Sequence, residues 1–213
     1  MATANYEDFL PDVLVRLSAD PGEPVAMACV RQTVDDFCRQ TWVWQEYSDP
    51  LDVTAGQPEV DFEPPAGAVV VMLLAASMDG RTLRPESLRR LEAHSPDWRR
   101  DFGEPECFSQ IDTERLLLAP APASSAPGAL SVLMALAPAR NAETIPQWLF
   151  NRYNLTLVDG ITSRLMLMGN RPWSDAPTGA DLRARYERGL AQARAHATGS
   201  MTAAPARVRG HYQ

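Results

Sequence analysis

With 213 residues, 45% hydrophobic and 22% charged, the chain can hold one large domain or two small ones, and its composition excludes a disordered protein. Its longest apolar run, Ala66 to Ala76, is too short to span a bilayer, and the N-terminus lacks the basic-then-apolar order of a secretory signal. The net charge of −7 is uneven: residues 1–170 carry 13 Arg against 24 Asp plus Glu, residues 171–213 carry 7 Arg against 3, and so acidic a body argues against a groove that clamps nucleic acid.

Glu7 to Leu17 reads as a short first helix, with Phe9, Leu10, Val13, Leu14 and Leu17 on one stripe and Pro11 in its first turn. Asp20-Pro21-Gly22 breaks it. Pro24 then opens a second helix to about Gln40, with Ala26, Val30, Val34 and Phe37 on one side and Arg31, Asp35, Asp36 and Arg39 on the other.

At Thr41 the character changes. Trp42 to Tyr47 has strand composition, which would place Trp42 and Trp44 on one face. Val60–Glu63 and Ala68–Ala75 read as strands, and Asp79-Gly80 supplies a tight hairpin turn into a strand near Thr82–Arg84. Pro85–Ala93 is expected to form a surface helix, and Glu106–Ile111 and Glu114–Leu118 a further hairpin. A flexible Ala119–Gly128 stretch precedes a strand at Ala129–Ala137.

Helix returns from Pro146, where Phe150, Tyr153, Leu157, Ile161, Leu165 and Met168 recur every three to four residues. Gly160 within it costs about 1 kcal/mol relative to Ala, which a close crossing by another helix would explain. Gly169 and Asn170 can take positive φ, Pro172 stops the helix, and Trp173 reads as a plug between the two C-terminal helices. Ser174 or Asp175 can cap the last helix, whose stripe is Leu182, Tyr186, Leu190 and Ala193. Ser200 to Gln213 is small, polar and basic, without periodicity.

The expected fold is therefore α+β: an antiparallel helical bundle from residues 1–41 and 142–198, a mostly β insertion at 42–141, and an extended C-terminal tail at 199–213. Chemistry is hard to find. His94, His196 and His211 have no neighbour at ligand spacing, and there is no phosphate loop or nucleophile elbow. Cys29, Cys38 and Cys107 read as buried free thiols. The acidic pairs Asp35 with Asp36 and Glu104 with Glu106 read as solvated surface. No catalytic residue, metal or cofactor is expected. Arg207, Arg209, His211 and Tyr212 belong either to a plainly disordered tail or to one ordered by binding.

Several features together resemble the head-to-tail adaptor proteins of tailed bacteriophages: the helix Glu23–Cys38 running into a tryptophan-bearing segment, the Met78-Asp79-Gly80 turn, and the strand ending in Leu136-Ala137-Pro138. The helix Leu149–Met168 with Asp159-Gly160 inside, the Pro172-Trp173-Ser174 hinge and the final Ala/Arg-rich helix complete the pattern. The resemblance implies a virion protein of the neck, assembled in the host cytoplasm as a dodecameric ring below the portal. Such a ring extends the DNA channel, passes the genome without sequence-specific binding, and docks the tail or nozzle; no membrane is involved. It implies portal binding by Arg207, Val208, Arg209, His211 and Tyr212, and a structural hinge involving Gly160, Gly169, Pro172, Trp173 and Ser174. The other readings are a different neck or tail-completion protein, or a cellular α+β enzyme or regulator.

Overall fold

The structure is a computed structural model that describes residues 2–94 and 101–199. In chain order, β1 (Thr3–Asn5) leads through a 3-10 turn at Tyr6–Phe9 into α1 (Leu10–Leu14) and α2 (Glu23–Thr41). Then come β2 (Gln45–Tyr47), β3 (Leu51–Val53), β4 (Glu59–Asp61), β5 (Ala68–Met78), β6 (Arg81–Pro85) and α3 (Leu88–His94). The strands β7 (Phe102–Gly103), β8 (Cys107–Gln110), β9 (Arg115–Ala119), β10 (Ala121–Pro122) and β11 (Ala126–Pro138) follow, and the chain closes with β12 (Thr144–Pro146), α4 (Gln147–Met166) and α5 (Ala176–Gly199). This is a mixed α+β protein with a curled sheet. It divides into two compact units, Met1–Val43 with Glu143–Gln213, and Trp44–Ala142.

In the first unit, β1 pairs antiparallel with β12 and so ties the N-terminus to the entrance of α4. The apolar stripe of α2 is buried through Ala26, Val30, Val34 and Phe37, and α4 is enclosed along Leu157–Ser163. Aromatic edges lock the packing: Phe9 meets Phe150 at 4.8 Å between ring centroids, and Phe37 meets Tyr153 at 5.1 Å. The expected first helix is split, its start tightened into the 3-10 turn ahead of Pro11, a residue without an N–H to donate to an earlier turn.

In the second unit the long strands β5 and β11 form the spine of an eight-stranded sheet. The other edge of β11 takes both β2 and β3, while β5 turns into β6 at Asp79 (φ 49°) and Gly80 (φ 77°), the two positive values a tight hairpin requires. β6 pairs parallel with β8, and the β8–β9 hairpin passes the sheet on to β4.

Two expectations are corrected here. Trp42 is not in a strand: it ends α2 in the left-handed conformation (φ 55°), and strand β2 begins only at Gln45. Trp42 and Trp44 therefore do not share a strand face. The Ala119–Gly128 stretch is not a loose loop. Ala121 and Pro122 pair parallel with Phe102 and Gly103, and β11 begins at Ala126, so backbone pairing overrides a loop-like composition.

Three glycines let α4 and α5 approach closely. A Cβ at Gly160 would stand 2.7 Å and 2.8 Å from ring atoms of Tyr186 and 2.9 Å from the Thr33 methyl. One at Gly189 would collide with the Thr156 side chain, and one at Gly179 would stand 3.0 Å from Leu167. At Gly169, by contrast, nothing lies within 4 Å. Gly160→Ala is expected to lose about 1–2 kcal/mol despite its better helix propensity, because overpacking costs about 1–3 kcal/mol. Gly169→Ala should stay within about 0.5 kcal/mol of the parent. Urea unfolding of the two variants checks the contrast, and equal midpoints would contradict the tight crossing.

Candidate functional site

Next to Gly160, α4 carries a buried carboxylate. Asp159 is only 5% exposed. Arg16, just past α1, donates from Nη1 to its Oδ1 at 2.7 Å, and Arg185 of α5 approaches Oδ2 at 3.1 Å. One anion thus joins the N-terminal segment and the last helix to α4, and its charge is compensated from both sides. A second tie, from Arg164 of α4 to Asp36 of α2, completes the cross-linking of these helices. Asp159 stood in the sequence as an acid inside the apolar run Leu157–Ile161, a signal that reading by periodicity alone passes over. The hydroxyls of Thr33 and Tyr186 at this crossing, and that of Thr162, are buried without a hydrogen-bond partner among the described residues, and burial pushes the Tyr186 phenol well above its ordinary range.

The hinge between α4 and α5 is fixed by hydrogen bonds. The Ser174 hydroxyl donates to the Met168 carbonyl and accepts from the Arg171 N–H at 3.0 Å, while the Asp175 N–H donates to the Met166 carbonyl at 3.0 Å. Asp175 caps α5 by accepting the Thr178 N–H at 3.2 Å, and hydrogen bonding to Thr178 holds its carboxyl below the usual range. The left-handed residue is Asn170 (φ 57°), not Gly169. Pro172 is exposed and accepts the Ser18 hydroxyl through its carbonyl at 3.1 Å. Trp173 is half-buried, with the Arg171 guanidinium 6.0 Å from its ring centroid and its indole N–H buried without a partner among the described residues.

The remaining polar candidates are occupied. Asp35 accepts Arg39 at 2.9 Å, Glu104 pairs with Arg81 at 3.2 Å, and Glu106 lies 3.8 Å from Arg84. The three cysteines are free and buried, and burial pushes each thiol up, keeping it protonated and unreactive at neutral pH. Trp44 is buried and donates its indole N–H to Glu46 at 2.8 Å, whereas the Arg194 guanidinium lies 4.8 Å from the Trp42 ring centroid. Among the described residues no group of three or more His, Cys, Asp or Glu converges to hold a metal ion, and no helix is long and apolar enough to cross a membrane. The tail residues Arg207, Val208, Arg209, His211 and Tyr212 lie outside the described residues.

Charge divides along the two units. The first has 12 Arg and 12 Asp plus Glu and is neutral; the second has 8 Arg against 15 and carries the whole −7. The first unit is thus a set of cross-linked helices, and the second is an acidic sheet. The profile of the family described as SU10 adaptor protein matches residues 4–209, and the chain belongs to that family. It is thus a bacteriophage structural adaptor, and membership implies a component of the virion. No curated protein matches the chain.

The buried carboxylate yields a test. Arg16→Ala with Arg185→Ala strands Asp159 without a cation, and the pair of changes is expected to cost about 3–5 kcal/mol. Adding Asp159→Asn should recover more than half of that loss, because a neutral amide no longer needs the arginines. Denaturant unfolding of the double and triple variants measures both.

Proposed function

We propose that the protein is a head-to-tail adaptor. Identical copies form a dodecameric ring below the portal, extend the DNA channel, and present a docking surface to the tail or nozzle. The family match carries this reading, and it runs through Arg209 and so takes in the basic start of the tail. In the ring, α2, α4 and α5 act as an antiparallel bundle that keeps each copy rigid, with Gly160 at the crossing and Gly169, Pro172, Trp173 and Ser174 setting the turn into α5.

The segment after Gly199 is the portal anchor, in which Arg207, Val208, Arg209, His211 and Tyr212 order on binding. Ordering costs about 2–5 kcal/mol per copy and is offset by the high effective concentration of tails on a ring already in register. The acidic sheet unit supports a channel that DNA traverses without adhering, since a surface of excess carboxylates lacks the counterion-driven affinity of a basic groove.

The test is direct. Purified full-length protein is mixed with portal rings beside a form truncated after Gly199, and complexes are followed by sedimentation and negative-stain imaging. Full-length protein should decorate the rings and the truncated form should not. Retained binding by the truncated form would refute the tail as anchor, and failure of the full chain to bind would remove the portal as partner.

A further inference from the structure

Two apolar surfaces lie at opposite ends of α2 and carry opposite charge. At its start, Val15 is 81% exposed and Leu14 is exposed beside it. Leu14 also lines a hollow with Leu10 and Ala26 whose rim is Glu7, Asp20 and Glu23. None of these three acids has an arginine partner among the described residues. At the other end, a groove of about 330 Å³ is lined by Trp42, Leu190 and Ala191 and edged by Arg39 and Arg194. Arg194 meets the Trp42 face but no carboxylate among the described residues.

The 19 residues of α2 put roughly 27 Å between the two ends at 1.5 Å per residue. A copy cannot therefore fill its own groove with its own Val15. We infer that the exposed Val15 of one copy, next in the chain to the acid-rimmed Leu14 hollow, seats in the Trp42–Leu190–Ala191 groove of the next. The inference rests on the ring reading and names the contact that builds the ring. Val15 entering an apolar groove removes from water the most exposed of the large apolar side chains among the described residues, while Glu7, Asp20 and Glu23 come opposite Arg194, Arg39 being already held by Asp35. Such a contact is heterologous: each copy uses one surface as donor and the other as acceptor, which closes into a ring when the rotation per copy divides a full turn. The neutral charge of the unit agrees, because a unit that docks on its own kind gains nothing from a net field of either sign.

Cysteine cross-linking tests the inference, since the native thiols are buried and stay out of the reaction. Val15→Cys with Ala191→Cys in one chain should give, on mild oxidation of the assembled protein alone or on portal rings, a ladder of covalent multimers. An equal mixture of chains carrying only one of the two changes should stop at dimers, and each single variant alone should give no cross-link. Val15→Asp should raise the concentration for half-assembly by roughly tenfold or more, as expected for loss of a central apolar anchor. If the parent assembles and the double-cysteine chain does not cross-link, the contact is wrong and the ring survives. If the parent assembles neither alone nor on portal rings, the ring reading falls and takes this contact with it.

Discussion

Everything in the helical unit depends on how closely α5 approaches α4. Gly160 removes the side chain where the Tyr186 ring and the Thr33 methyl converge, so three helices meet at a single backbone position. One residue earlier, Asp159 binds Arg16 and Arg185. Apolar contact sets the separation there, and charge sets the register. A displacement of α5 by one turn would move Arg185 by about 5.4 Å and leave the buried carboxylate short of a partner. Packing of this kind is discrete, which suits a part that must be the same in every copy of an assembly.

The hinge serves the same end. Ser174 holds Met168 and Arg171 together, Asp175 starts α5, and Ser18 reaches Pro172 from the N-terminal segment. The direction in which α5 leaves the turn to pack along α4 is therefore determined by hydrogen bonds at both sides of the turn. Since α5 ends at Gly199, that direction also sets where the remaining residues begin.

Helical periodicity made α2 and α4 legible from sequence nearly to the residue, because each has an apolar stripe that local spacing reveals. The Asp79-Gly80 hairpin was legible for a different local reason, its demand for two positive φ values. What stayed hidden is non-local. The β7–β10 pair is two residues long, parallel, and joins segments nearly twenty residues apart, so no spacing signals it. Trp42 has the composition of a strand residue and takes a helix-ending conformation. Asp159 was visible only as part of the Asp159-Gly160 pair inside the helix, and its role comes from arginines distant in sequence. The resemblance to adaptors was carried by the order of elements along the chain, which is why it was visible while these particulars were not.

The partition of charge links the fold to assembly. A chain of −7 could have spread its carboxylates evenly, yet the helical unit is balanced and the sheet unit carries the excess. In the ring proposed above, balance suits surfaces that would meet their own copies many times, since like charge on repeated units accumulates with each addition. In the channel proposed above, excess negative charge on the sheet unit would keep passing DNA from adhering. All 20 basic residues of the chain are arginine. Arginine's planar fork can pair with a carboxylate and lie on an aromatic ring, as Arg16 does with Asp159 and Arg194 does with Trp42. A compact ammonium would meet the first need as a point charge and lose the stacking geometry of the second. In a unit whose joints are an anion held between two cations and a cation resting on an indole, arginine is the side chain that does both.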